Sequence, residues 1–379
     1  MSKEKKTRIA HVSAVFVRNG GGTGQACYQL VSKLNKMPDL EVEVFLPASQ
    51  KQSSEIEKEV KINYIEPHFS FGNSALIPRL TNQLKGFDII HLHYPFFGGA
   101  EYVQKASSKF DIPYIITFHT DTVFQSIVLT TILKIYNFIY QKKIISDATK
   151  VIGVTKSHLN SSSIANLANK AKKVFIPNGV ADIFFTKQRF KQQINKNKAC
   201  LTLGFCSVID NAHYYKGLEI LMEAIKDIDA KLLICGDGNL LSHYKKVSYG
   251  LGVNAKCHFL GALESEKLVD FYDSIDILVS PSTIAESFSI VNIESLSRGK
   301  PIITASWPAT KEIAQSFPAG YYNLLTEITP KAIENKINEV ASNLESFKPQ
   351  EALVINVTRD QYNWGNISKK IVREYLNVH

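Results

Sequence analysis

The sequence predicts an α/β protein made of two doubly wound parallel-sheet domains. Short apolar stretches of strand length alternate with amphipathic helical stretches, and the alternation occurs in both halves of the chain. With 379 residues, the chain is long enough for two domains, each with its own core. A polar and basic segment, 187–198, lacks apolar periodicity and indicates a linker. We therefore assign the first domain to 1–186 and the second to 187–361.

The strands of both domains are predicted from apolar runs and from the turn residues that follow them. Those of the first domain are Arg8–Val17, Glu41–Leu46, Lys61–Ile65, Asp88–His93, Pro113–Phe118 and Lys150–Val154. Those of the second domain are Leu201–Val208, Lys231–Cys235, Cys257–Leu260, Ile275–Val279 and Pro301–Thr304. Helical periodicity predicts helices at Gln25–Leu34, Leu218–Lys226 and Ser289–Arg298.

The stretch Leu278–Thr304 carries the most specific functional signal. A strand, a loop and a helix follow one another here, so the backbone N–H groups of Phe288–Ile290 lie at a helix N-terminus, which favours anions. Two carboxylates flank this position, because Glu286 and Glu294 are eight residues apart (294 − 286 = 8). An ionised carboxylate accepts hydrogen bonds from two O–H donors, so both side chains suit sugar hydroxyls.

The run ESFSIVNIESLSRGKPIITAS resembles the paired-glutamate motif of the retaining glycosyltransferases of the GT-B fold, in glycosyltransferase family 4 (glycosyl transferases group 1). The matching residues are Glu286, Ser287, Phe288, Ile290, Glu294, Gly299, Lys300 and Pro301. At Ser289 the family usually has glycine. The resemblance implies two Rossmann-like domains that face each other across a cleft, with a C-terminal helix, 362–379, that crosses back onto the first domain.

The resemblance also implies roles for residues of the second domain. Glu286 orients the donor sugar, Glu294 binds the ribose, and the backbone of Phe288–Ile290 holds the diphosphate. The loop with Gly261 and Leu263 is where the nucleotide base lies.

Lys216 precedes the predicted helix Leu218–Lys226 and resembles the lysine with which the family neutralises the diphosphate. The family also has an arginine in this loop, which this chain lacks. His213 and Asn211 are the candidate donors in its place. A solvated lysine at the start of a helix is the alternative interpretation of Lys216.

A glycine-rich turn, Gly20–Gly24, follows the first predicted strand and lets the backbone approach a phosphate or a sugar closely. These glycines lack the spacing of a dinucleotide-binding fingerprint. The family has a similar loop, so the resemblance implies that Gly21 and Gly22 contact the donor. A tight turn with no ligand remains the alternative.

Polar side chains follow two further strands, at the carboxyl ends that line the ligand crevice of a doubly wound sheet. The FHTD segment resembles the family's histidine segment, in which His119 faces the donor sugar. We assign no catalytic role to His93, because a lone histidine is more often structural. Arg18 and Tyr94 are expected on the acceptor side.

The net charge of +9 is carried by the first half of the chain. Residues 1–190 contain 24 Lys and Arg against 14 Asp and Glu (24 − 14 = +10), and 191–379 contain 20 against 21 (20 − 21 = −1). This asymmetry favours an anionic partner, either a phosphate-bearing lipid or an anionic membrane surface. We expect no nucleic acid, because no recognised binding module is present. A charge that serves only solubility is the alternative.

Three observations bear on location. The five cysteines are scattered and without CxxC spacing, which predicts thiols in a reducing compartment. The N-terminus lacks the apolar core of a signal peptide, and no apolar run reaches membrane-spanning length. The apolar helical stretch 124–145 either packs on the sheet or lies in a membrane interface, and core packing is the prediction. We expect a cytoplasmic protein, with peripheral contact at the cytoplasmic face of a membrane as the finer hypothesis.

The resemblance implies a retaining hexosyltransferase that moves a sugar from a UDP- or GDP-sugar to a glycan or lipid-linked acceptor in cell-surface glycan or glycolipid synthesis. Its catalytic residues are Glu286, Lys216 and His119, and its main catalytic effect is stabilisation of the leaving diphosphate. No acidic DxD cluster occurs in a suitable loop, so we expect no divalent metal and no cofactor besides the donor. The alternative is a non-catalytic GT-B protein that binds a nucleotide sugar or a partner enzyme, which Ser289 and the missing arginine leave open.

Overall fold

The structure is a computed structural model of the chain. It describes residues 6–18, 22–51, 53–122, 126–169, 172–186 and 200–378. The chain forms two compact units, one of residues 1–178 with 364–379 and one of residues 179–363. The predicted linker at 187–198 lies outside the described residues.

The second unit begins before the predicted boundary at residue 187, for a local reason. The backbone N–H of Val180 donates to the carbonyl of Tyr362 (2.7 Å). The carbonyl of Phe184 accepts a hydrogen bond from the buried Arg298 guanidinium (2.8 Å). The segment 179–186 therefore folds with the second unit, although the sequence pattern placed it in the first.

The first unit is built on a parallel sheet. The strands of this unit are β1 Thr7–Val12, β2 Leu40–Pro47, β3 Lys61–Ile65, β4 Phe69–Phe71, β5 Ser74–Leu76, β6 Ile89–Tyr94, β7 Tyr114–Phe118, β8 Lys150–Gly153 and β9 Lys173–Phe175. Among the described residues, seven of them form a parallel sheet in the order β3-β2-β1-β6-β7-β8-β9, and β4 and β5 form an antiparallel hairpin. The helices are α1 Gly22–Leu34, α2 Ser54–Glu59, α3 Leu80–Gln83, α4 Ala100–Phe110, α5 Ile127–Tyr136, α6 Lys142–Asp147, α7 Lys156–Ser161 and, from the end of the chain, α17 Trp364–Leu376.

The second unit is built on another parallel sheet. Its strands are β10 Leu201–Cys206, β11 Ala230–Cys235, β12 Cys257–Gly261, β13 Ile277–Ser280, β14 Ile302–Ala305 and β15 Tyr322–Leu325. Within the part of the chain that the structure describes, these six lie in the order β12-β11-β10-β13-β14-β15. The helices are α8 Ile183–Thr186, α9 Leu218–Ala224, α10 Leu241–Gly250, α11 Ser265–Ser274, α12 Ile290–Ser297, α13 Pro308–Ala314, α14 Pro330–Ser342, α15 Leu344–Phe347 and α16 Glu351–Tyr362.

Each sheet has a point where the strand order reverses, between β1 and β6 in the first unit and between β10 and β13 in the second. Loops that leave neighbouring strands diverge there, which opens a crevice at the carboxyl ends of the strands. Both units therefore have the position at which doubly wound folds bind ligands.

The faces of the first sheet are covered by different helices, because side chains alternate along each strand. Ile90 and Leu92 of β6 belong to the core that also contains α4 and α6 residues. Ile89 belongs to the other core, with residues of α1 and α17. His91 and His93 alternate with Ile90 and Leu92, so β6 carries them on the face of Ile89.

Every predicted strand has an observed counterpart, and the largest difference is in the first. β1 ends at Val12, five residues before the predicted end (17 − 12 = 5). The Ser13 hydroxyl donates to the carbonyl of Val15 (2.7 Å), a local hydrogen bond that competes with continued sheet pairing. Strands β4, β5, β9 and β15 were not predicted.

The helical stretch predicted at 124–145 is described from residue 126 onward. It consists of α5, a π-helical turn at Asn137–Gln141, and α6. Core packing is correct for α6, whose Ile144 and Ile145 are buried. It is wrong for the segment before it, where six apolar side chains are exposed. We call these the apolar face: Ile127, Val128, Ile132, Ile135, Phe138 and Ile139.

Candidate functional site

Lys216 and Glu286 come together at the switch point of the second unit. The first residue lies in the loop after β10 and the second in the loop after β13. Lys216 Nζ is 2.6 Å from Glu286 Oε2, and the Ser282 hydroxyl donates to Glu286 Oε1. The two loops are joined by the backbone N–H of Thr283, which donates to the carbonyl of Tyr215 (2.7 Å).

Gly217 allows this approach of the two loops. Its φ is +77°, in the left-handed region, and a Cβ there would lie 2.4 Å from the carbonyl oxygen of Pro281. Any side chain would therefore push the loop with Lys216 away from the loop with Glu286. The glycine after the lysine is thus required by the geometry of the pair.

The pair is ionised at neutral pH. Burial alone would raise the pKa of Glu286, but the Lys216 ammonium and its hydrogen bond hold that pKa below its usual value. Burial alone would lower the pKa of Lys216, but the Glu286 carboxylate raises it. The site therefore holds a partly buried, paired positive charge beside the start of α12.

Helix α12 begins at Ile290, and Ser289 occupies its N-cap position. The Ser289 side chain does not cap the helix, and its Oγ is buried without a hydrogen-bond partner among the described residues. The backbone N–H groups of residues 288–290 likewise donate no hydrogen bond to a described residue. These donors, at the positive end of the helix dipole, have the geometry of an anion site.

Ser289 has φ +62°, in the left-handed region of backbone conformation. Glycine is favoured in this region, and glycine is the residue that the family with the resembling motif usually has here. We expect Ser289→Gly to raise the free energy of unfolding by up to about 1 kcal/mol, because relief of roughly 1–2 kcal/mol of backbone strain exceeds the entropic cost of glycine. Calorimetric unfolding measures this effect.

Asp111→Gly is the matched control, because Asp111 also has positive φ (54°) but lies at the end of α4 in the first unit. Both variants should gain stability, whereas only Ser289→Gly should change the affinity for nucleoside diphosphate, because only this variant alters the start of α12. A loss of stability in Ser289→Gly would show that the serine is not strained.

Glu294 lies in α12 and is buried, with the Tyr272 hydroxyl donating to its Oε2 (2.7 Å). Burial raises the pKa of Glu294 to about 7, and the Tyr272 hydrogen bond opposes this shift. An ionised carboxylate was expected here from the sequence. The structure instead gives a group that is about half protonated at neutral pH.

Tyr272→Phe removes only the hydroxyl that favours the carboxylate, so we expect the pKa of Glu294 to rise further. The ionised fraction of Glu294 at pH 7 should then fall from about a half to about a tenth. If the carboxylate is the form that binds the ligand, the affinity for nucleoside diphosphate at pH 7 should fall roughly fivefold. Calorimetric titrations between pH 6 and 8.5 should show affinity that increases with pH, with a higher midpoint in the variant. Tyr321→Phe, which removes a hydroxyl bonded to the Phe347 carbonyl in the same unit, is the control. Identical pH profiles for Tyr272→Phe and wild type would contradict the prediction.

Gly261 and Leu263 lie at the end of β12 and just after it. The N–H of Gly236 donates to the Gly261 carbonyl (2.8 Å), which ties this end to the loop after β11. His213, a candidate for the missing arginine, is held by Asp210 (Nδ1 to Oδ1, 2.7 Å), and the Asn211 N–H donates to Asn239. Lys216 is therefore the cation that directly contacts Glu286.

The site residues that were predicted in the first unit do not all lie in the same part of that unit. His119 follows β7 and is buried, while Tyr94 ends β6 and is buried as well. Gly22 begins α1, whereas Gly21 lies outside the described residues. Arg18 hydrogen bonds to Tyr28 and pairs with Glu59 (2.6 Å).

A cavity of about 140 Å³ lies at the ends of β6 and β7. The helical segment that carries the apolar face borders this cavity. Tyr94, Asp121 and Ser163 line it together with Asn137 and Gln141. Arg18 is not among its lining residues, so the two residues expected on the acceptor side lie in different surroundings.

Two groups of residues were not predicted from the sequence. His11, His91 and Tyr375 form a buried cluster with His93 and His119, for which the HLH spacing in β6 was the available signal. Arg298 and Asp273 form a buried ion pair in the second unit (2.7 Å), with no local signal because they are 25 residues apart.

Two family models match consecutive parts of the chain. Glycosyltransferase Family 4 matches residues 20–182, and Glycosyl transferases group 1 matches residues 185–356. An uncharacterised glycosyltransferase of Methanocaldococcus jannaschii is 29% identical over 76% of this chain and 73% of that protein, and another from the same organism is 32% identical over 43% and 42%. Phosphatidyl-myo-inositol mannosyltransferase of Mycobacterium tuberculosis is 25% identical over 77% and 74%.

Solved structures share the fold over nearly the whole chain. Sucrose-phosphate synthase of Thermosynechococcus elongatus superposes with a TM-score of 0.79 at 17% identity, covering 98% of this chain and 99% of that one. HepE of Anabaena, in complex with UDP and glucose, superposes with a TM-score of 0.78 at 16% identity, covering 98% and 100%. The predicted GT-B fold is confirmed by these neighbours and by the two parallel sheets. The family models and the shared fold together identify the chain as a glycosyltransferase of the GT-B type.

Proposed function

We propose that the protein is a retaining hexosyltransferase that uses a UDP- or GDP-sugar and transfers the sugar to a glycan or phosphate-bearing lipid acceptor. The observation that carries this proposal is the partly buried Lys216–Glu286 pair beside the uncapped start of α12. A cation and a helix N-terminus at a switch point suit a diphosphate, and a carboxylate between them suits a sugar hydroxyl.

In the proposed reaction, the bond between the anomeric carbon and the β-phosphate oxygen breaks, and the nucleoside diphosphate leaves with the electron pair. The acceptor hydroxyl oxygen forms the new bond to the anomeric carbon, and its proton passes to an oxygen of the leaving diphosphate. Lys216 and the N–H groups of residues 288–290 stabilise the charge that develops on the leaving diphosphate. Glu286 orients the donor sugar, Glu294 binds the ribose, and His119 is a further residue for contact with the sugar. Retention of anomeric configuration is proposed from the resemblance of the motif.

We propose that the chemistry needs no divalent metal, because Lys216 and the helix dipole supply the positive charge that a metal would otherwise supply. Transfer should therefore persist in excess EDTA. Restoration of lost activity by Mg²⁺ or Mn²⁺ would reject this part of the proposal.

The donor class is supported by related proteins. HepE of Anabaena has been solved in complex with UDP-glucose. A D-rhamnosyltransferase of Pseudomonas aeruginosa and a lipopolysaccharide 1,2-N-acetylglucosaminetransferase of Salmonella typhimurium are 24% and 22% identical to parts of this chain.

The decisive experiment is mass spectrometry of the purified protein with a panel of UDP- and GDP-sugars and of glycan and lipid acceptors. Transfer of a hexose with Glu286→Ala inactive supports the proposal, and NMR of the product reports the anomeric configuration. If the wild type binds nucleoside diphosphate but neither transfers nor hydrolyses any donor, the non-catalytic alternative is correct.

We propose that the acceptor lies at an anionic membrane surface, on the cytoplasmic side, with the apolar face in contact with lipid. Ile127 is 85% exposed and Phe138 is 90% exposed. Residues 127–143 contain three lysines and no acidic residue, which suits anionic headgroups. Among the described helices, none combines the length and apolar composition that a membrane crossing requires.

The β4–β5 hairpin extends this surface. Phe69 is 68% exposed and Phe71 is 57% exposed. The hairpin is attached to the loop after β6 by the Ala75 N–H, which donates to the Phe97 carbonyl (3.0 Å). The Phe97 ring packs edge-on against Tyr136 of α5, with centroids 5.1 Å apart. Two exposed apolar elements therefore adjoin the cavity that Tyr94 lines, which we propose as the place of the acceptor's polar group.

Sedimentation with phosphatidylglycerol vesicles tests the membrane contact. We expect binding at low salt that weakens at high salt, because screening reduces the attraction of the lysines. The double variant Ile132→Asp, Phe138→Asp should bind at least about tenfold more weakly, since each apolar side chain contributes roughly 1.5 kcal/mol or more when buried. The control is Tyr249→Asp, Leu353→Asp, which alters exposed apolar residues of the second unit. No binding of the wild type at low salt would reject the contact.

A further inference from the structure

Six buried side chains of the first unit form one continuous hydrogen-bonded row. We call it the histidine row, and its members in order are His119, His93, His11, Tyr375, His91 and Thr117. They come from β1, β6, β7, the residue after β7, and α17. The exposed fraction of each is 6% or less.

The atoms in contact are specific. His119 Nε2 is 3.0 Å from His93 Nδ1, and His93 Nε2 is 3.1 Å from His11 Nδ1. His11 Nε2 is 3.3 Å from the Tyr375 hydroxyl, which is 2.5 Å from His91 Nδ1. His91 Nε2 is 2.7 Å from the Thr117 hydroxyl. His119 Nδ1 is the ring nitrogen of the row that has no partner among the described residues.

The four imidazoles are neutral at physiological pH. Burial lowers the pKa of His119 to about 4, and burial together with neighbouring imidazoles lowers the pKa of His11, His91 and His93 well below its usual value. A neutral imidazole donates from one nitrogen and accepts at the other. The direction of one hydrogen bond therefore determines the direction of every other bond in the row.

The contacts of Tyr375 indicate which direction is present. O–H donors make shorter hydrogen bonds than N–H donors. The 2.5 Å contact with His91 Nδ1 thus fits the tyrosine hydroxyl as donor, and the 3.3 Å contact with His11 Nε2 fits it as acceptor. His91 then donates from Nε2 to Thr117.

The same direction continues toward His119. His11 carries its proton on Nε2, so its Nδ1 accepts from His93 Nε2. His93 Nδ1 then accepts from His119 Nε2, which leaves His119 Nδ1 without a proton. With the opposite direction in the row, His119 Nδ1 would carry the proton and would be a donor.

A metal site is the competing interpretation of this cluster. Ring nitrogens of His11, His91 and His93 all lie within 4.8 Å of one another. However, His91 and His93 are stacked, with an interplanar angle of 10°, and a tetrahedral site requires lone pairs that converge on one point. Both nitrogens of each ring are also engaged in the hydrogen bonds of the row.

We propose that the histidine row holds His119 as the Nε2–H tautomer, so that its Nδ1 accepts a hydrogen bond from a hydroxyl of the sugar substrate. His93, His11 and Tyr375 are then positioning residues that act through His119. The part that concerns the sugar rests on the proposed function, whereas the tautomer is independent of it. Helix α17, at the far end of the chain, thereby determines whether a group after β7 is an acceptor or a donor.

NMR of protein labelled with ¹⁵N-histidine tests the tautomer directly, because protonated and unprotonated ring nitrogens resonate apart. His119→Gln assigns the signals. We expect wild-type His119 to be protonated on Nε2. In Tyr375→Phe, His11 loses its acceptor, and the row should reverse so that His119, the most exposed of the four histidines, carries the proton on Nδ1.

Tyr114→Phe is the matched control, because it removes a buried hydroxyl of the same unit that bonds to the Ile144 carbonyl outside the row. It should leave the tautomer of His119 unchanged. Thr117→Val should reverse the row, whereas Thr117→Ser, which keeps a hydroxyl, should retain the wild-type direction.

Kinetics provide the functional measurement. Tyr375→Phe should lower kcat/KM for the donor about tenfold, the effect of losing one hydrogen bond of about 1.4 kcal/mol, while Tyr114→Phe should not. If the wild type has no transfer activity, the proposed function fails but the NMR result still decides the tautomer. Wild-type His119 protonated on Nδ1, an unchanged tautomer in Tyr375→Phe, or stoichiometric metal found by elemental analysis would each overturn the inference.

Discussion

Lys216→Met is expected to lower kcat/KM for sugar transfer by about 10²–10³-fold, the effect typical of removing one preorganised group that stabilises charge in a transition state. Lys216 is the cation paired with Glu286 at 2.6 Å, next to the start of α12. Methionine keeps the length and apolar volume of the side chain but removes its charge. Initial rates with the donor found in the panel give this value directly.

Folding must be separated from catalysis in this variant, since the partly buried Glu286 would be left without its cation. The double variant Lys216→Met, Glu286→Gln removes both charges and should recover part of any lost thermal stability while remaining inactive. Lys311→Met, at an exposed lysine of α13, is the control for charge removal and should retain full activity. Activity of Lys216→Met within tenfold of wild type would show that the lysine does not stabilise the leaving group.

Arg298→Met is expected to lower the free energy of unfolding of the second unit by about 3–5 kcal/mol, the usual result of removing one partner of a buried ion pair. The guanidinium donates to both carboxylate oxygens of Asp273 (2.8 and 2.7 Å) and to the Phe184 carbonyl. Without it, the Asp273 carboxylate and this carbonyl remain buried with fewer donors. Differential scanning calorimetry is the suitable measurement, because two units need not unfold together.

The control is Arg298→Met combined with Asp273→Leu, which removes the orphaned carboxylate as well. Replacing both members of a buried pair by apolar residues is often neutral, so most of the lost stability should return. Lys331→Met, which breaks a surface pair with Glu334, should cost less than about 1 kcal/mol. If Arg298→Met were no more destabilising than Lys331→Met, the pair would have no structural role.

The strands and the donor-side motif were predictable because their signals are local. The pattern of apolar residues reports which segments alternate between strand and helix, and β3, Lys61–Ile65, has the predicted bounds. The run from Glu286 to Glu294 places a loop and a helix start together within a few residues. Predicted strand ends differed where a local hydrogen bond competes with the sheet, as at Ser13.

The boundary of the first domain and the surface of α5 were not predictable by the same means. Helical periodicity shows that α5 has an apolar side but not whether a neighbour covers it. Leu133 is only partly buried and Phe138 is 90% exposed, so the segment differs from a core helix despite its composition. Segment 179–186 joined the second unit through contacts with Tyr362 and Arg298, which lie far from it in the sequence.

The chain's sequence thus specifies two parallel α/β sheets and a loop and helix suited to a diphosphate, because both depend on neighbours a few residues apart. The charge states of the site depend on packing. Glu286 is ionised beside Lys216, whereas Glu294, in the same motif, has a pKa that burial raises, although the Tyr272 hydrogen bond opposes the shift. The histidine row joins His11 to Tyr375, 364 residues away, and only the folding of α17 onto the first unit brings those two side chains into contact.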